Sequence, residues 1–221
     1  VQKDIIKHTR RLNRIVITAT QMMESMITSP MPTRAEVSDV ANAVMDGTDA
    51  VMLSAETAVG DFPAQTVEAM ARVCLGAEQH RNAYKSSHRV DISVHNIDES
   101  VALSAMYAAN HLDGVKAIIC MTQSGQTPLL MSRIRSGIPI FAFTPEAETQ
   151  RRVCLYRGVI THPFDSDVLE NSEVNHIAVE QLKALGVVKD GDIVLITKGD
   201  YVKAHGGTNT LKVVRVGNQI Q

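Results

Sequence analysis

Residues 116–143 read KAIICMTQSGQTPLLMSRIRSGIPIFAF. A short apolar run at 116–121 is followed by a polar loop, an amphipathic segment near 128–135 and a second apolar run at 138–143. Strands that alternate with helices of this length indicate parallel pairing with right-handed crossovers, because consecutive parallel strands need a helical connection. The stretch therefore predicts an α/β fold.

The alternation continues on both sides of this stretch. Apolar β-branched runs predict three more strands, and apolar residues at helical spacing predict three more helices. The added strands lie at 159–163, 192–197 and 211–216, and the added helices at 99–112, 146–156 and 170–185. With five strands in total, residues 97–221 are expected to form a three-layer α/β/α domain around a five-stranded, mostly parallel sheet that closes its own core.

The N-terminal part shows the same alternation with fewer strands. Two apolar runs, 15–18 and 49–53, predict buried strands with helices between and after them. Two strands cannot make a sheet with both faces covered, so residues 1–77 are expected to be the end of a larger α/β domain. The polar stretch 78–96 is the best candidate for a linker. The sequence also begins inside a helical pattern, which favours a piece of a longer protein.

Local signals set the expected ends of the N-terminal helices. Thr33 and Glu36 have the spacing of a capping box, in which the hydroxyl and the carboxylate satisfy each other's backbone N–H groups. Gly47 is a plausible C-terminal stop for the helix that this box begins. Residues 54–60 are expected to be a loop, and Pro63 suits the first turn of the next helix.

Composition excludes several classes of protein. The 221 residues carry 22 Lys and Arg against 24 Asp and Glu, and the absence of a basic block argues against nucleic acid as a partner. The apolar runs are too short to cross a bilayer, so no membrane partner is expected. Cys74, Cys120 and Cys154 are odd in number and set among apolar residues, as reduced cysteines of a cytoplasmic protein would be.

Polar residues follow both N-terminal strands. Thr20 comes just after the first strand, and Ser54 and Glu56 come just after the second. Parallel α/β folds bind ligands at the carboxyl ends of their strands, where a hydroxyl and a carboxylate can hydrogen-bond a small substrate or pass a proton. The same residue types also cap helices for backbone reasons alone, and composition favours that second role.

A third candidate is the loop Thr122-Gln123-Ser124-Gly125-Gln126-Thr127, which connects a predicted strand to a predicted helix. Exposed N–H groups and the positive end of a helix dipole attract anions there, and hydroxyls complete the anion's shell. The loop has neither the Gly-Lys-Thr of a nucleotide P-loop nor a G-x-G-x-x-G fingerprint, so a phosphate monoester fits best. The alternative is a helix cap without a ligand, although a cap needs only one such residue.

Long ordered strings in the sequence resemble the pyruvate kinase family, and the bacterial type in particular. In the N-terminal part the strings are ITATQMMESM at 17–26, PTRAE at 32–36, DVANAV at 39–44 and MLSAETA at 52–58. In the C-terminal part they are the 122–127 loop and GTNT at 207–210. The resemblance covers essentially all 221 residues but only about the last half of the family's usual chain.

The resemblance implies a fold and a set of site residues. Residues 1–77 would be the final two βα units of a TIM barrel, and 97–221 the allosteric effector-binding domain. Thr20 would contact phosphoenolpyruvate or pyruvate, and Ser54 and Glu56 would lie beside it in the network that protonates the enolate. The residues implied to bind the phosphate of a sugar-phosphate or nucleotide monophosphate effector are Thr122, Gln123, Ser124, Gly125, Thr127, Lys203 and Thr208.

The resemblance also implies a reaction. The family transfers a phosphoryl group from phosphoenolpyruvate to ADP with Mg²⁺ and K⁺, and it usually forms homotetramers. The family's metal-binding and phosphoryl-binding residues precede the segment seen here, so the 221-residue chain alone is expected to be inactive. The alternative from another class is a stand-alone, non-catalytic module that senses phosphosugars or nucleotides.

Overall fold

The computed structural model describes residues 1–80, 93–166, 168–199 and 207–218. The chain divides into two compact units, Val1–Lys85 (unit 1) and Ser86–Gln221 (unit 2). Most of the predicted linker lies outside the described residues. Within the described ranges, no helix is long and apolar enough to span a bilayer.

Unit 1 consists of helices around a very small sheet. Its elements, in chain order, are α1 (Gln2–Arg11), β1 (Ile17–Thr18), a 3₁₀ helix (Glu24–Ile27), α2 (Arg34–Asp46), β2 (Ala50–Val51), α3 (Ala55–Ala58) and α4 (Pro63–Glu78). The core comes from the 3₁₀ helix and the residues before it, α2 and α4, with Met23, Met26 and Val40 fully buried at its centre.

The capping box of α2 is confirmed. Thr33 Oγ1 accepts the N–H of Glu36 at 3.3 Å, and the Glu36 carboxylate accepts the N–H of Thr33 at 2.7 Å. Gly47 ends the helix in the left-handed conformation at φ 100°, and Pro63 is the first residue of α4, as predicted. Residues 54–60 are not all loop, because the carbonyl of Ser54 accepts the N–H groups of Thr57 and Ala58 and so begins α3.

Strands β1 and β2 pair in parallel, with Ile17 opposite Ala50. Both are shorter than the apolar runs predicted. On the N-terminal side, the N–H of Val16 is taken by Asp49 Oδ2 at 2.9 Å instead of by a carbonyl of the neighbouring strand. On the C-terminal side, Thr20 turns the backbone into the left-handed region at φ 69°. Side-chain competition and this turn therefore leave two residues of regular pairing in each strand.

Unit 2 is built on a larger sheet. Its elements are α5 (Ile97–His111), β3 (Val115–Met121), α6 (Gln126–Ser132), β4 (Ile140–Thr144), α7 (Ala147–Val153), β5 (Val159–Pro163), α8 (Asn171–Ala184), β6 (Ile193–Lys198) and β7 (Thr210–Arg215). The sheet order is β5-β4-β3-β6-β7, with β7 antiparallel to β6 and the other pairs parallel.

One core cluster of unit 2 lies between one face of this sheet and α8. It contains Ile119 and Phe143 from the central strands and Leu182 from α8, each at most 1% exposed. The central strands are nearly continuous apolar runs because parallel strands are buried on both faces. The loop after β3 therefore follows directly from a strand that is mostly buried in the sheet.

Candidate functional site

In unit 1 the segment after β1 begins with a strained turn. Thr20 and Gln21 have φ values of 69° and 54°, a region that residues with a Cβ rarely adopt. Thr20 is exposed, and its hydroxyl donates to the carbonyl of Ala19 at 2.7 Å. Consecutive left-handed residues persist only where the surrounding structure holds them.

Glu56 joins this segment to the end of β2. Its side chain is 2% exposed, and the two carboxylate oxygens accept the N–H of Met23 at 3.1 Å and the N–H of Ser54 at 2.7 Å. Two of the three residues predicted for this site, Ser54 and Glu56, are thus in direct contact. The third, Thr20, lies three residues before Met23 on the segment that Glu56 holds.

These hydrogen bonds set the charge of Glu56. Burial raises the pKa of the carboxyl, but the backbone N–H groups of Glu56, Ser54 and Met23 outweigh it, so the pKa lies below its ordinary value even with Glu36 nearby. A carboxyl with a lowered pKa is ionised at neutral pH and accepts hydrogen bonds without supplying a proton. Glu56 is therefore suited to holding the two strand ends.

A residue that was not predicted for the site, Glu36, holds the same segment farther along. Its Oε1 accepts the N–H of Ser25 at 2.7 Å, and its Oε2 accepts the hydroxyl of Ser25 at 2.5 Å. Burial raises the pKa of Glu36, but the hydrogen bonds from Ser25 and Thr33 outweigh it and lower the pKa below its usual value. The sequence signalled only the capping box, because Ser25 is 11 residues away.

In unit 2 two hydroxyls of the 122–127 loop accept hydrogen bonds from the loop's own backbone. Thr122 Oγ1 accepts the N–H of Gly125 at 2.9 Å, and Ser124 Oγ accepts the N–H of Gln126 at 3.4 Å. These contacts shape the entry into α6, in line with the capping alternative. The side chains of Thr122, Gln123 and Ser124 remain partly exposed, so the loop is also accessible to a ligand.

Helix α7 packs over this loop. Gly125 has φ 77°, and a Cβ there would lie 2.9 Å from Cγ1 of Val153, so only glycine fits without displacement. Thr149 donates its hydroxyl to the carbonyl of Gln123 at 2.5 Å, and Arg152 Nη1 donates to the carbonyl of Ser124 at 3.3 Å. Thr149 and Arg152 were not among the predicted site residues, because these contacts join residues that lie 26 and 28 positions apart along the chain.

The loop also meets the segment that leads into β7. The hydroxyls of Thr127 and Thr208 are buried and lie 2.7 Å apart, although 81 residues separate them. Gly199 and Gly207 approach so closely that a Cβ on Gly199 would lie 2.5 Å from the carbonyl oxygen of Gly207. The chain thus leaves β6 and returns to β7 beside the loop, and Lys203 lies outside the described residues.

No metal cluster marks the described part of the chain, and the buried thiol of Cys120 is not a reactive group. In the described ranges no group of three or more His, Cys, Asp or Glu residues is placed to hold a metal ion. Burial raises the pKa of the Cys120 thiol to about 12, so this cysteine stays protonated and is not a nucleophile. The residues at the two sites therefore offer hydroxyls, backbone groups, the ionised carboxylates of Glu36 and Glu56, and the guanidinium of Arg152.

Comparisons with known proteins agree across both units. The family model "Pyruvate kinase, barrel domain" matches residues 1–67, and "Pyruvate kinase, alpha/beta domain" matches residues 99–214. Pyruvate kinase II of Salmonella typhimurium is 56% identical over 216 residues, which cover 98% of this chain and 45% of that protein. A pyruvate kinase of Haemophilus influenzae is 56% identical over 212 residues, covering 95% and 43%.

A solved structure gives the same result. The crystal structure of a pyruvate kinase from Cryptosporidium parvum matches with a TM-score of 0.83 and 35% sequence identity, over 97% of this chain and 42% of that chain. The chain therefore spans a little less than half the length of the relatives that it matches.

Proposed function

The chain belongs to the pyruvate kinase family, whose α/β model alone matches more than half of it, and from this premise we propose that the protein containing it transfers the phosphoryl group of phosphoenolpyruvate to ADP, giving pyruvate and ATP. The observation that carries the proposal is 56% identity to a curated pyruvate kinase over 98% of the chain. The comparisons give no support to the stand-alone sensing module.

Unit 1 supplies one side of the active site in this proposal. Residues 1–77 are the final two βα units of a TIM barrel, and Thr20, Ser54 and Glu56 lie at the carboxyl ends of its strands. The exposed hydroxyl of Thr20 can turn from the carbonyl of Ala19 to phosphoenolpyruvate or pyruvate. The parallel pairing of β1 and β2 and the contact between Ser54 and Glu56 support this assignment.

The proton that converts enolate to pyruvate does not come from Glu56 in this scheme. Both oxygens of its carboxylate accept backbone hydrogen bonds, and its pKa is lowered, so it is ionised and occupied. Ser54 is exposed, and its hydroxyl can pass a proton between the reacting carbon and water. Glu56 keeps the backbone of Ser54 in place for that step.

Pyruvate kinases generally depend on Mg²⁺ and K⁺, and the three candidate residues Thr20, Ser54 and Glu56 do not fit an Mg²⁺ site. The buried carboxylate of Glu56 has both oxygens engaged, and Thr20 and Ser54 offer only neutral hydroxyls. We assign both ions to a part of the enzyme outside this chain. Phosphoryl transfer needs such cations to neutralise the moving group, so the 221-residue chain alone is expected not to turn over.

Unit 2 is the regulatory part of the proposal. Residues 97–221 form a three-layer α/β/α domain, joined by the linker 78–96, that binds the phosphate of a sugar-phosphate or nucleotide monophosphate effector. The accessible 122–127 loop and the nearby guanidinium of Arg152 support an anion here. The proposed phosphate-binding residues are Thr122, Gln123, Ser124, Gly125, Thr127, Lys203 and Thr208. The whole enzyme is expected to be a cytoplasmic homotetramer.

A coupled assay tests the reaction. Pyruvate formation is followed with lactate dehydrogenase for the 221-residue chain and for the full-length protein that contains it. We expect turnover only from the full-length protein, and only with Mg²⁺ present. A full-length protein that forms no pyruvate under these conditions would refute the proposed reaction, and turnover by the chain alone would refute the division of roles.

Calorimetry tests the effector site. Titrations of glucose 6-phosphate and adenosine monophosphate into the chain are compared for the wild type and Thr127→Val. The loss of a buried hydroxyl that bonds a charged phosphate should weaken binding by about 1–3 kcal/mol. Thr161→Val is the matched control, because its hydroxyl has no hydrogen-bond partner in the described structure. Unchanged affinity for every phosphorylated probe would count against the site.

A further inference from the structure

The turn at Thr20 and Gln21 is held from both sides. Before the turn, the carbonyl of Thr18 accepts the N–H of Met52 at 2.9 Å, which ties the end of β1 to the residue that follows β2. After the turn, Glu56 accepts the N–H of Met23, which is fully buried. Backbone in the left-handed region is costly for threonine and glutamine, so these anchors must outweigh the tendency of the turn to relax.

Glu36 is the next anchor along the same segment, and its carboxylate accepts more hydrogen bonds than a helix cap needs. A capping box requires one carboxylate oxygen, which accepts the N–H of Thr33. Glu36 also accepts the N–H and the hydroxyl of Ser25, at 2.7 and 2.5 Å, and the hydroxyl of Thr33 at 2.8 Å. Four donors thus converge on one carboxylate, and two of them come from the segment that begins at Thr20.

The converging donors require an ionised carboxylate. A glutamine side chain offers one acceptor oxygen and replaces the second with an NH₂ group that would face the donors. The charged form is therefore the only one that satisfies Ser25 and Thr33 together. The anchor is fixed in space because α2 packs on α4 within the same unit and Val40, one turn farther along α2, is completely buried.

We propose that Glu36 is a positioning residue for the substrate-binding turn at Thr20, acting through Ser25 and not through contact with the substrate. The inference rests on the proposed function for the role of Thr20. The anchoring itself rests only on the four hydrogen bonds of Glu36. Glu56 holds the start of the buried segment and Glu36 holds its continuation, so both carboxylates, from two different helices, keep Thr20 in its strained conformation.

Three variants separate positioning from helix capping. Glu36→Gln keeps the size of the side chain and removes the second acceptor oxygen. Thr33→Ala removes the cap hydroxyl of α2 but leaves the contacts between Glu36 and Ser25 intact. Glu36→Asp keeps the charge with a shorter reach and is the conservative rescue.

The first measurement is amide hydrogen exchange and backbone chemical shifts of the 221-residue chain. We expect exchange at Ser25 to rise at least tenfold in Glu36→Gln, with shifts moving at Thr20 and Gln21, while exchange at Val40, in the core of unit 1, rises less than exchange at Ser25. In Thr33→Ala, amide exchange at Ser25 and the backbone shifts at Thr20 should be the same as in the wild type. Unchanged exchange at Ser25 or unchanged shifts at Thr20 in Glu36→Gln would overturn the proposal, whatever the activity of the enzyme.

The second measurement is steady-state kinetics of the full-length protein. A misplaced binding group lowers reaction rates steeply, so kcat/KM for phosphoenolpyruvate should fall at least tenfold in Glu36→Gln, with KM for ADP within twofold of the wild type and partial recovery in Glu36→Asp. An equal loss in Thr33→Ala would mean that Glu36 acts only as a helix cap and would overturn the proposal. A wild type without activity would refute the proposed function and leave the exchange result to decide the anchoring.

Discussion

Units 1 and 2 both carry their candidate sites where parallel strands end, but different chemistry holds the two sites in place. In unit 1 the ionised carboxylates of Glu36 and Glu56 accept hydrogen bonds from the segment after β1. In unit 2 the loop after β3 is held mainly by neutral hydroxyls and by the close approach of Gly125 to Val153, with one guanidinium contact from Arg152. The first arrangement depends on charge and the second on shape.

The cores of the two units are also built from different elements and residue types. Unit 1 has a sheet with two paired residues in each strand, so its core is formed mainly by helices and by flexible methionine side chains such as Met26. Unit 2 has five strands and a core of branched and aromatic residues, with Phe143 at its centre. A candidate site at the ends of parallel strands can therefore lie on a mainly helical core, as in unit 1, or on a five-stranded sheet, as in unit 2.

The largest expected effect tests the contrast between the cores. Phe143 is 1% exposed and contacts the rings of Phe164 and His162. Its replacement by alanine should lower the free energy of unfolding of unit 2 by about 3–5 kcal/mol, measured by hydrogen exchange of amides in β3 and β4. Met26→Leu in unit 1 should cost less than about 1.5 kcal/mol because the volume is conserved. Equal losses of unfolding free energy in Phe143→Ala and Met26→Leu would contradict the contrast between the two cores.

The next effect tests the shape dependence of the loop in unit 2. Gly125 and Gly158 have similar φ values, 77° and 72°, but a Cβ on Gly158 would meet nothing within 4 Å. Both alanine variants should cost about 1–2 kcal/mol for the left-handed backbone, and Gly125→Ala about 1–3 kcal/mol more for overlap with Val153. Urea unfolding measures the difference, and adding Val153→Ala should reduce it. Equal costs for the two glycines would contradict the packing of α7 on the loop.

A smaller effect tests the charge dependence of unit 1. The pKa of Glu36 and that of Glu56 lie below the ordinary value of 4.5, so their stabilising contribution is complete above that value and is lost as the pH falls through the folded-state pKa. Unit 1 should lose stability below about pH 4.5, measured by urea unfolding at a series of pH values.

The matched variant carries both Glu36→Gln and Glu56→Gln. It should be less stable at pH 7, by about 1–3 kcal/mol for the buried N–H of Met23, which loses its acceptor, and by less for the partly buried Ser25. Its stability should also change less between pH 5 and about pH 3. An unchanged acid slope in this double variant would show that other groups cause the pH dependence.

Local signals in the sequence predicted the features that depend on neighbours along the chain. The capping box at Thr33 and the stop at Gly47 were found because a few adjacent residues determine them. The strands of unit 2 were located to within two residues because their apolar runs are long. Family strings indicated the site positions, which remain proposals.

Features that depend on folded geometry could not be predicted. The reach of Glu36 to Ser25 requires the turn at Thr20 and Gln21, which no sequence pattern marks. The shortening of β1 comes from the turn at Thr20 and from Asp49, whose side chain competes for a backbone donor 33 residues away. The support of the loop by Thr149 follows from the packing of α7, and that packing is decided by the whole sheet.

Substitution of Thr20 tests the central claim most directly, namely that the strained turn in unit 1 presents a hydroxyl to the substrate. Thr20→Val keeps the shape of the side chain and removes the hydroxyl, and pyruvate formation by the full-length protein is measured against phosphoenolpyruvate concentration. The loss of a hydrogen bond to a charged substrate should lower kcat/KM by about 10- to 100-fold, with unchanged backbone shifts at Gln21. A Thr20→Val enzyme with the wild-type kcat/KM would contradict the claim.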